Sequence, residues 1–144
     1  MENLEKITLK KENSDFLRVQ IKSSETSANY LKQFYFDDIE IFESFFILLL
    51  NRNNETIGYA KISQGGVSGT VVDTKIILKY VIDALASAVV LCHNHPSGNL
   101  TPSEADKRVT KTIKDACKLL DTDVLDHIIL TKNNYFSFAD NNLM

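Results

Sequence analysis

Cysteine is scarce in this chain, a long apolar run is missing, and positive charge is not in excess. Only two cysteines occur among 144 residues, Cys92 and Cys117. Each lies beside apolar neighbours, which suits reduced thiols in a core and excludes a disulfide scaffold. The longest unbroken apolar run is Phe45–Leu50, far below the roughly 18 residues of a membrane-spanning helix. The opening MENLEKITLK has no apolar stretch of the kind a signal peptide needs. These absences predict a cytoplasmic protein with no membrane partner. Lys and Arg number 16 against 19 Asp and Glu, for a net charge of −3. No broad positive field is therefore available to grip a phosphate backbone, and non-specific DNA binding is disfavoured. No repeat, low-complexity tract or internal linker breaks the chain.

What is present fits one globular domain. The hydrophobic fraction is 44% and the charged fraction 24%, at a length near the roughly 150 residues expected of a single domain. Such a chain buries about two-thirds of its unfolded surface. Disorder and collagen-like order are excluded.

Residues 1–24 read as an irregular N-terminal segment, with weak edge-strand alternation over Leu17–Lys22, and residues 25–144 as the domain. Thr26–Phe36 has Ala28, Leu31 and Tyr35 near helical spacing after a Ser23–Ser24 start signal. Ser44–Leu50 is apolar without interruption, as a strand covered on both faces would be, and Ile57–Ser63 is expected to return as its hairpin partner. Gly65, Gly66 and Gly69 mark Gln64–Thr70 as a loop. Asp73 is placed to cap a helix whose apolar face is Ile76, Ile77, Tyr80, Val81, Ala84 and Leu85. Ala86–Cys92 reads as a central strand. Thr101-Pro102-Ser103-Glu104 reads as a capping box with proline at the first helical position, opening a helix with Ala105, Val109, Ile113, Cys117 and Leu120 in one stripe. Val124–Leu130 and Tyr135–Phe138 are strands around the Asn133-Asn134 turn. This order predicts an α/β fold, a mixed β-sheet flanked by helices.

The chemistry concentrates after the central strand. Of three histidines, His93 and His95 lie two apart, and residues i and i+2 of an extended chain point to one side. That geometry suits two metal ligands. A catalytic zinc takes three protein groups and keeps a fourth position for water. Asp106, in the first turn of the following helix, is the natural third. Each residue alone has an ordinary structural explanation, Asp106 as a complement to the helix dipole. Their joint occurrence behind a strand of small apolar residues is what points to a site. Asn94, Ser97 or a backbone carbonyl are the candidates for orienting the imidazoles from behind. His127, after Asp126 in an apolar strand, reads as structural.

The string His93-x-His95-Pro96, then Ser103 and Asp106 at fixed spacing, resembles the signature of the JAMM (MPN-type) metalloenzymes. The longer HNHPSGNLTPSEAD resembles their RadC-like branch. Gly65–Lys79, Leu125-Asp126-His127 and Tyr135–Ala139 extend the resemblance to roughly residues 25–140. The resemblance implies a JAMM/MPN architecture of cytidine-deaminase-like type and a Zn2+ ion held by His93, His95 and Asp106. It also implies a glutamate ahead of the first long apolar strand that activates water. Glu43 fits that place, with Glu40 as the competing choice. Ser103 is implied as a hydroxyl donor to the oxyanion of a tetrahedral intermediate, beside its ordinary role as a helix-start residue. Full-length RadC-like proteins carry an N-terminal helix-hairpin-helix region for which this chain has too few residues, so nucleic-acid binding is expected to be weak.

The expected function is a zinc-dependent hydrolase acting on a peptide or isopeptide substrate, within a family linked to DNA repair. A non-catalytic DNA-repair accessory protein and a metal-dependent nuclease are the alternatives. A deaminase is disfavoured, since neither His-x-Glu nor Pro-Cys-x-x-Cys is present.

Overall fold

Six apolar side chains in a row cannot alternate between core and solvent, so the segment that carries them must lie inside a sheet covered on both sides. A computed structural model of the chain, describing residues 1–8, 10–35, 37–66 and 71–144, places it there. Strand β1 (Ser44–Leu50) is buried along its whole length. It runs antiparallel to both β2 (Thr56–Gln64) and β3 (Ala88–Asn94). Strand β4 (Asp123–Leu130) pairs parallel with β3, and β5 (Tyr135–Ser137) closes the sheet antiparallel to β4, in the order β2-β1-β3-β4-β5. A parallel pair cannot be joined by a tight turn. Helix α3 (Glu104–Lys118) makes the β3–β4 crossover.

Alternate side chains of β1 and β3 feed two apolar clusters, one on each face of the sheet. Helix α1 (Ser24–Leu31) covers Phe46, Leu48, Leu50, Val90 and Cys92. Helices α2 (Thr74–Ala84) and α3 cover Phe45, Ile47, Leu49, Val89 and Leu91. The expected mixed α/β sheet flanked by helices is what forms. Cys92 and Cys117 are buried and free, and burial pushes their thiols up to about 12 and about 11. Among the described residues no helix is long and apolar enough to cross a membrane.

Several boundaries differ from the sequence expectation, each for a physical reason. The central strand is two residues later than Ala86–Cys92, because His93 and Asn94 continue the ladder opposite Phe45 and Leu130. Polar side chains stay in a buried strand when they are hydrogen-bonded. The third helix begins after Ser103, whose side chain and that of Asp106 form the capping box, in place of the Thr101 box. In α2 only Ile77 and Val81 are buried, while Ile76, Tyr80 and Leu85 face outward. Asp73 does cap α2, accepting from Lys75 N at 2.9 Å. The helix read over Thr26–Phe36 ends at Leu31 and tightens into a 3₁₀ turn over Lys32–Phe34, with Ala28, Leu31 and Tyr35 buried as the spacing predicts, and Phe36 lies outside the described residues. Leu17–Lys22 forms one bridge, Gln20 to Glu55, in place of a strand. The N-terminal segment nonetheless joins the core through Ile21, with Phe16 and Val19 packed against it. Of the Gln64–Thr70 loop, Gln64 ends β2, and residues 67–70, Gly69 included, lie outside the described residues.

Candidate metal centre

Strand parity sets the two faces of the site. Val89, Leu91 and His93 point toward the α2/α3 layer, and His95, just past the strand end, keeps that direction. His93 Nε2 and His95 Nε2 lie 3.0 Å apart. The first turn of α3 delivers Asp106, with Oδ1 3.4 Å from His93 Nε2 and Oδ2 3.4 Å from His95 Nε2. The capping box aims this carboxylate: Asp106 N donates to Ser103 Oγ at 3.0 Å, and Ser103 N donates to Asp106 Oδ2 at 2.8 Å. Glu43 Oε1 stands further out, 3.9 Å from His95 Nε2.

These spacings are compatible with a metal ion. Ligand nitrogens and oxygens at about 2.0–2.2 Å from zinc are separated from one another by roughly 3.3 Å; the two histidine nitrogens are 3.0 Å apart, and each has an Asp106 oxygen at 3.4 Å, Oδ1 for His93 and Oδ2 for His95. A second combination, Glu43 with the two histidines, brings one donor atom from each within 4.8 Å of the others. Asp106 has the shorter distances, through a different oxygen to each histidine, so His93, His95 and Asp106 form the inner set of side chains, with Glu43 beside it.

Each imidazole is held from behind. At Gly98 the backbone takes φ +84°, a left-handed conformation that suits glycine, and the chain turns back so that Asn99 O sits 2.6 Å from His95 Nδ1. A carbonyl oxygen only accepts, so Nδ1 of His95 carries the proton. His93 Nδ1 lies 2.7 Å from His127 Nε2. His127 is fully buried on β4 and stacks on Phe138 at 4.6 Å between ring centroids. Its Nδ1 reaches Thr110 Oγ1 at 2.6 Å, and Thr110 donates to the backbone oxygen of Asp106 at 2.6 Å. Of the three orienting candidates read from sequence, the backbone carbonyl is used, through Asn99. Ser97 Oγ accepts instead from Asn99 N at 3.3 Å, and Asn94 faces the other side of the sheet.

Asn94 has a different task. It is wholly buried; its Nδ2 donates to Ile39 O at 2.7 Å and Phe42 O at 2.8 Å, and its Oδ1 accepts from Ser44 N at 2.8 Å. These bonds tie the corner that bears Glu43 to the strand that bears the histidines. Glu40, the competing glutamate, pairs with Lys132 at 3.3 Å on the surface. Of the two, Glu43 is the one brought to the histidines.

The electrostatics follow from this crowding. Burial opposes ionisation of Asp106, yet the His93 and His95 rings against it, with the Ser103 amide, hold its carboxyl well below the usual range. The Asp106 hydrogen bond raises His95, outweighing partial burial. Burial pushes His127 well below the ordinary histidine value, so it stays neutral.

Sequence reasoning brings His93, His95, Asp106, Glu43 and Ser103 to one place, and all five are there. It missed Thr110 and the anchor role of Asn94, and it read as structural His127, which meets His93 Nδ1 at 2.7 Å. Thr110 had one legible signal, its position four residues after Asp106 on the same helix face.

Comparison with known proteins agrees with the geometry. The family model of the RadC-like JAB domain matches residues 21–143. The chain is 48% identical over 98 residues to a UPF0758 protein of Flavobacterium johnsoniae, covering 68% of this chain and 43% of that one. It is 42% identical over 103 residues to a UPF0758 protein of Porphyromonas gingivalis, covering 71% and 45%. It is 36% identical over 129 residues to one of Haemophilus ducreyi, covering 87% and 58%. A mixed sheet with a glutamate and a histidine pair brought together beside it defines the class as a JAB-type domain with a cluster compatible with a metal ion. The chain belongs to the RadC-like JAB domain family. It spans about half the length of the curated relatives it matches.

Proposed function

We propose that this domain is a zinc-dependent hydrolase of amide bonds, acting on a peptide or isopeptide. One observation carries the reading: two imidazole nitrogens 3.0 Å apart each meet an oxygen of the Asp106 carboxylate at 3.4 Å, from two separate elements, spacings close to those between ligands of one metal ion. His93, His95 and Asp106 would hold the ion. A bound zinc ion supplies Lewis acidity, which brings a coordinated water to a pKa of about 7 and polarises an acyl oxygen.

The remaining steps belong to side chains of this protein. Glu43, outside the inner set, accepts the proton of the attacking water and passes it to the departing amine. Ser103 Oγ already accepts Asp106 N–H, which leaves its own hydroxyl proton to donate to the acyl oxygen as negative charge develops there. The net charge of −3 supports a polypeptide substrate over a nucleic acid, which the domain is expected to bind weakly.

Elemental analysis of protein purified without added metal tests the reading. About one zinc per chain is expected, lost in His93→Ala and His95→Ala. Less than about 0.2 zinc per chain, with no uptake on titration, sinks it.

A further inference from the structure

His93 is buried and has two ring nitrogens, of which only Nε2 faces His95 and Asp106. To hold a cation there, Nε2 must present a lone pair, so the single proton of the neutral ring must sit on Nδ1. That choice is made by what lies behind it. Thr110 Oγ1 is 2.6 Å from the Asp106 carbonyl oxygen, two oxygens that repel one another at that distance unless a proton lies between them. The hydroxyl has only that one proton to give, and it is spent on the carbonyl. Thr110 therefore accepts at its second contact, 2.6 Å from His127 Nδ1, and His127 carries its proton on Nδ1. His127 Nε2 is then an acceptor, and at 2.7 Å it receives the proton of His93 Nδ1. Every bond in the chain points one way, from His93 through His127 and Thr110 to the backbone of Asp106.

We infer that His127 and Thr110 are positioning residues that fix the tautomer of His93 and so turn its Nε2 lone pair toward the cation. The inference rests on the metal reading above and extends it to two residues that do not touch the ion. The relay also joins two members of the inner set, since it starts on His93 of β3 and ends on Asp106 of α3. Packing supports a fixed geometry: His127 is stacked on Phe138 and meets the Phe45 ring edge-on at 5.5 Å.

Long-range proton–nitrogen correlation spectra of the 15N-labelled, metal-free protein at neutral pH read the ring protons directly. Protons on Nδ1 of both His93 and His127 are expected; a proton on Nε2 of His127 overturns the relay whatever the metal result. Zinc titration forms the second arm. Thr110→Val removes the acceptor at nearly constant volume and is expected to weaken zinc binding roughly 10- to 100-fold, with a change in the His127 ring signals, while Thr110→Ser restores both. Unchanged zinc affinity and unchanged ring signals in Thr110→Val overturn the inference. Failure of the wild-type chain to take up zinc is a different result: it removes the metal reading, and the ring spectra still decide whether the relay exists. If Thr110→Val does not fold, the wild-type spectra and the Thr110→Ser titration carry the test, with Ser expected to match Thr.

Discussion

Asn94 brackets Glu43. Its amide nitrogen donates to the carbonyl of Phe42, on one side of the glutamate, and its oxygen accepts from the amide of Ser44, on the other, both at 2.8 Å. The residue between the two histidines thus holds the glutamate that stands opposite them.

Replacing Asn94 should show how much of the site depends on this anchor. Asn94→Ala strips three hydrogen bonds from a fully buried position. Asn94→Asp is isosteric and keeps the acceptor for Ser44, but turns a carboxylate oxygen on the carbonyls of Ile39 and Phe42. Both variants are expected to lose about 2–4 kcal/mol of stability in urea unfolding, with Asp no better than Ala. An Asp variant as stable as the wild type would show that the acceptor alone anchors the corner.

Glu43→Gln should retain zinc and lose hydrolysis by about 100-fold or more, because it removes a proton acceptor and leaves the inner set intact. Glu40→Gln, at the surface with Lys132, should match the wild type in both. Loss of zinc in Glu43→Gln would move that residue into the inner set.

The two roles of Ser103 can be separated by substitution. Ser103→Ala removes the acceptor for Asp106 N–H and should cost about 1 kcal/mol in thermal unfolding. Ser103→Asn supplies another capping oxygen and should restore stability while leaving hydrolysis impaired, since the hydroxyl donor is gone. Full hydrolysis in Ser103→Asn would confine Ser103 to capping.

Asp126 predicts a pH dependence away from the histidine pair. Burial pushes its carboxyl up, against hydrogen bonds from Ser137 Oγ, Ala139 N and His127 N. A raised carboxyl binds its proton more tightly in the folded chain. Stability is therefore lost as pH rises from the unfolded value, about 3.9, through the folded one. Asp126→Asn, which cannot ionise and can still accept the two backbone amides, should lack this slope. Asp126→Ala leaves three donors unmatched and should be less stable than Asn by about 1–3 kcal/mol. Parallel pH profiles for wild type and Asn would refute the assignment.

The legible parts of the molecule are those that depend on neighbours in sequence. The apolar run of β1, the small apolar residues of β3, the Asp73 cap and the His93–His95 pair all declare themselves within a few residues. Thr110, His127 and Asn94 take their roles from contacts between distant segments. His127 reaches His93 because β3 and β4 pair in parallel with Leu91 opposite His127, and no local pattern encodes that register. The face of α2 was only half legible, because periodicity identifies an apolar stripe without saying how wide a layer will cover it.

The alternation along β3 makes that strand a key that fits in one frame only. Inserting a single residue ahead of Val90 would swing the His93 ring into the α1 layer and turn the Asn94 amide toward the helices opposite, so the histidine and the anchor of Glu43 would fail together. Exchanges among Val89, Val90 and Leu91 that keep volume would be absorbed far more easily. Variation in length is thereby pushed out of the strand and into turns such as Asn51–Glu55 and Leu119–Thr122, which lie outside the five strands and set no side chain of the site.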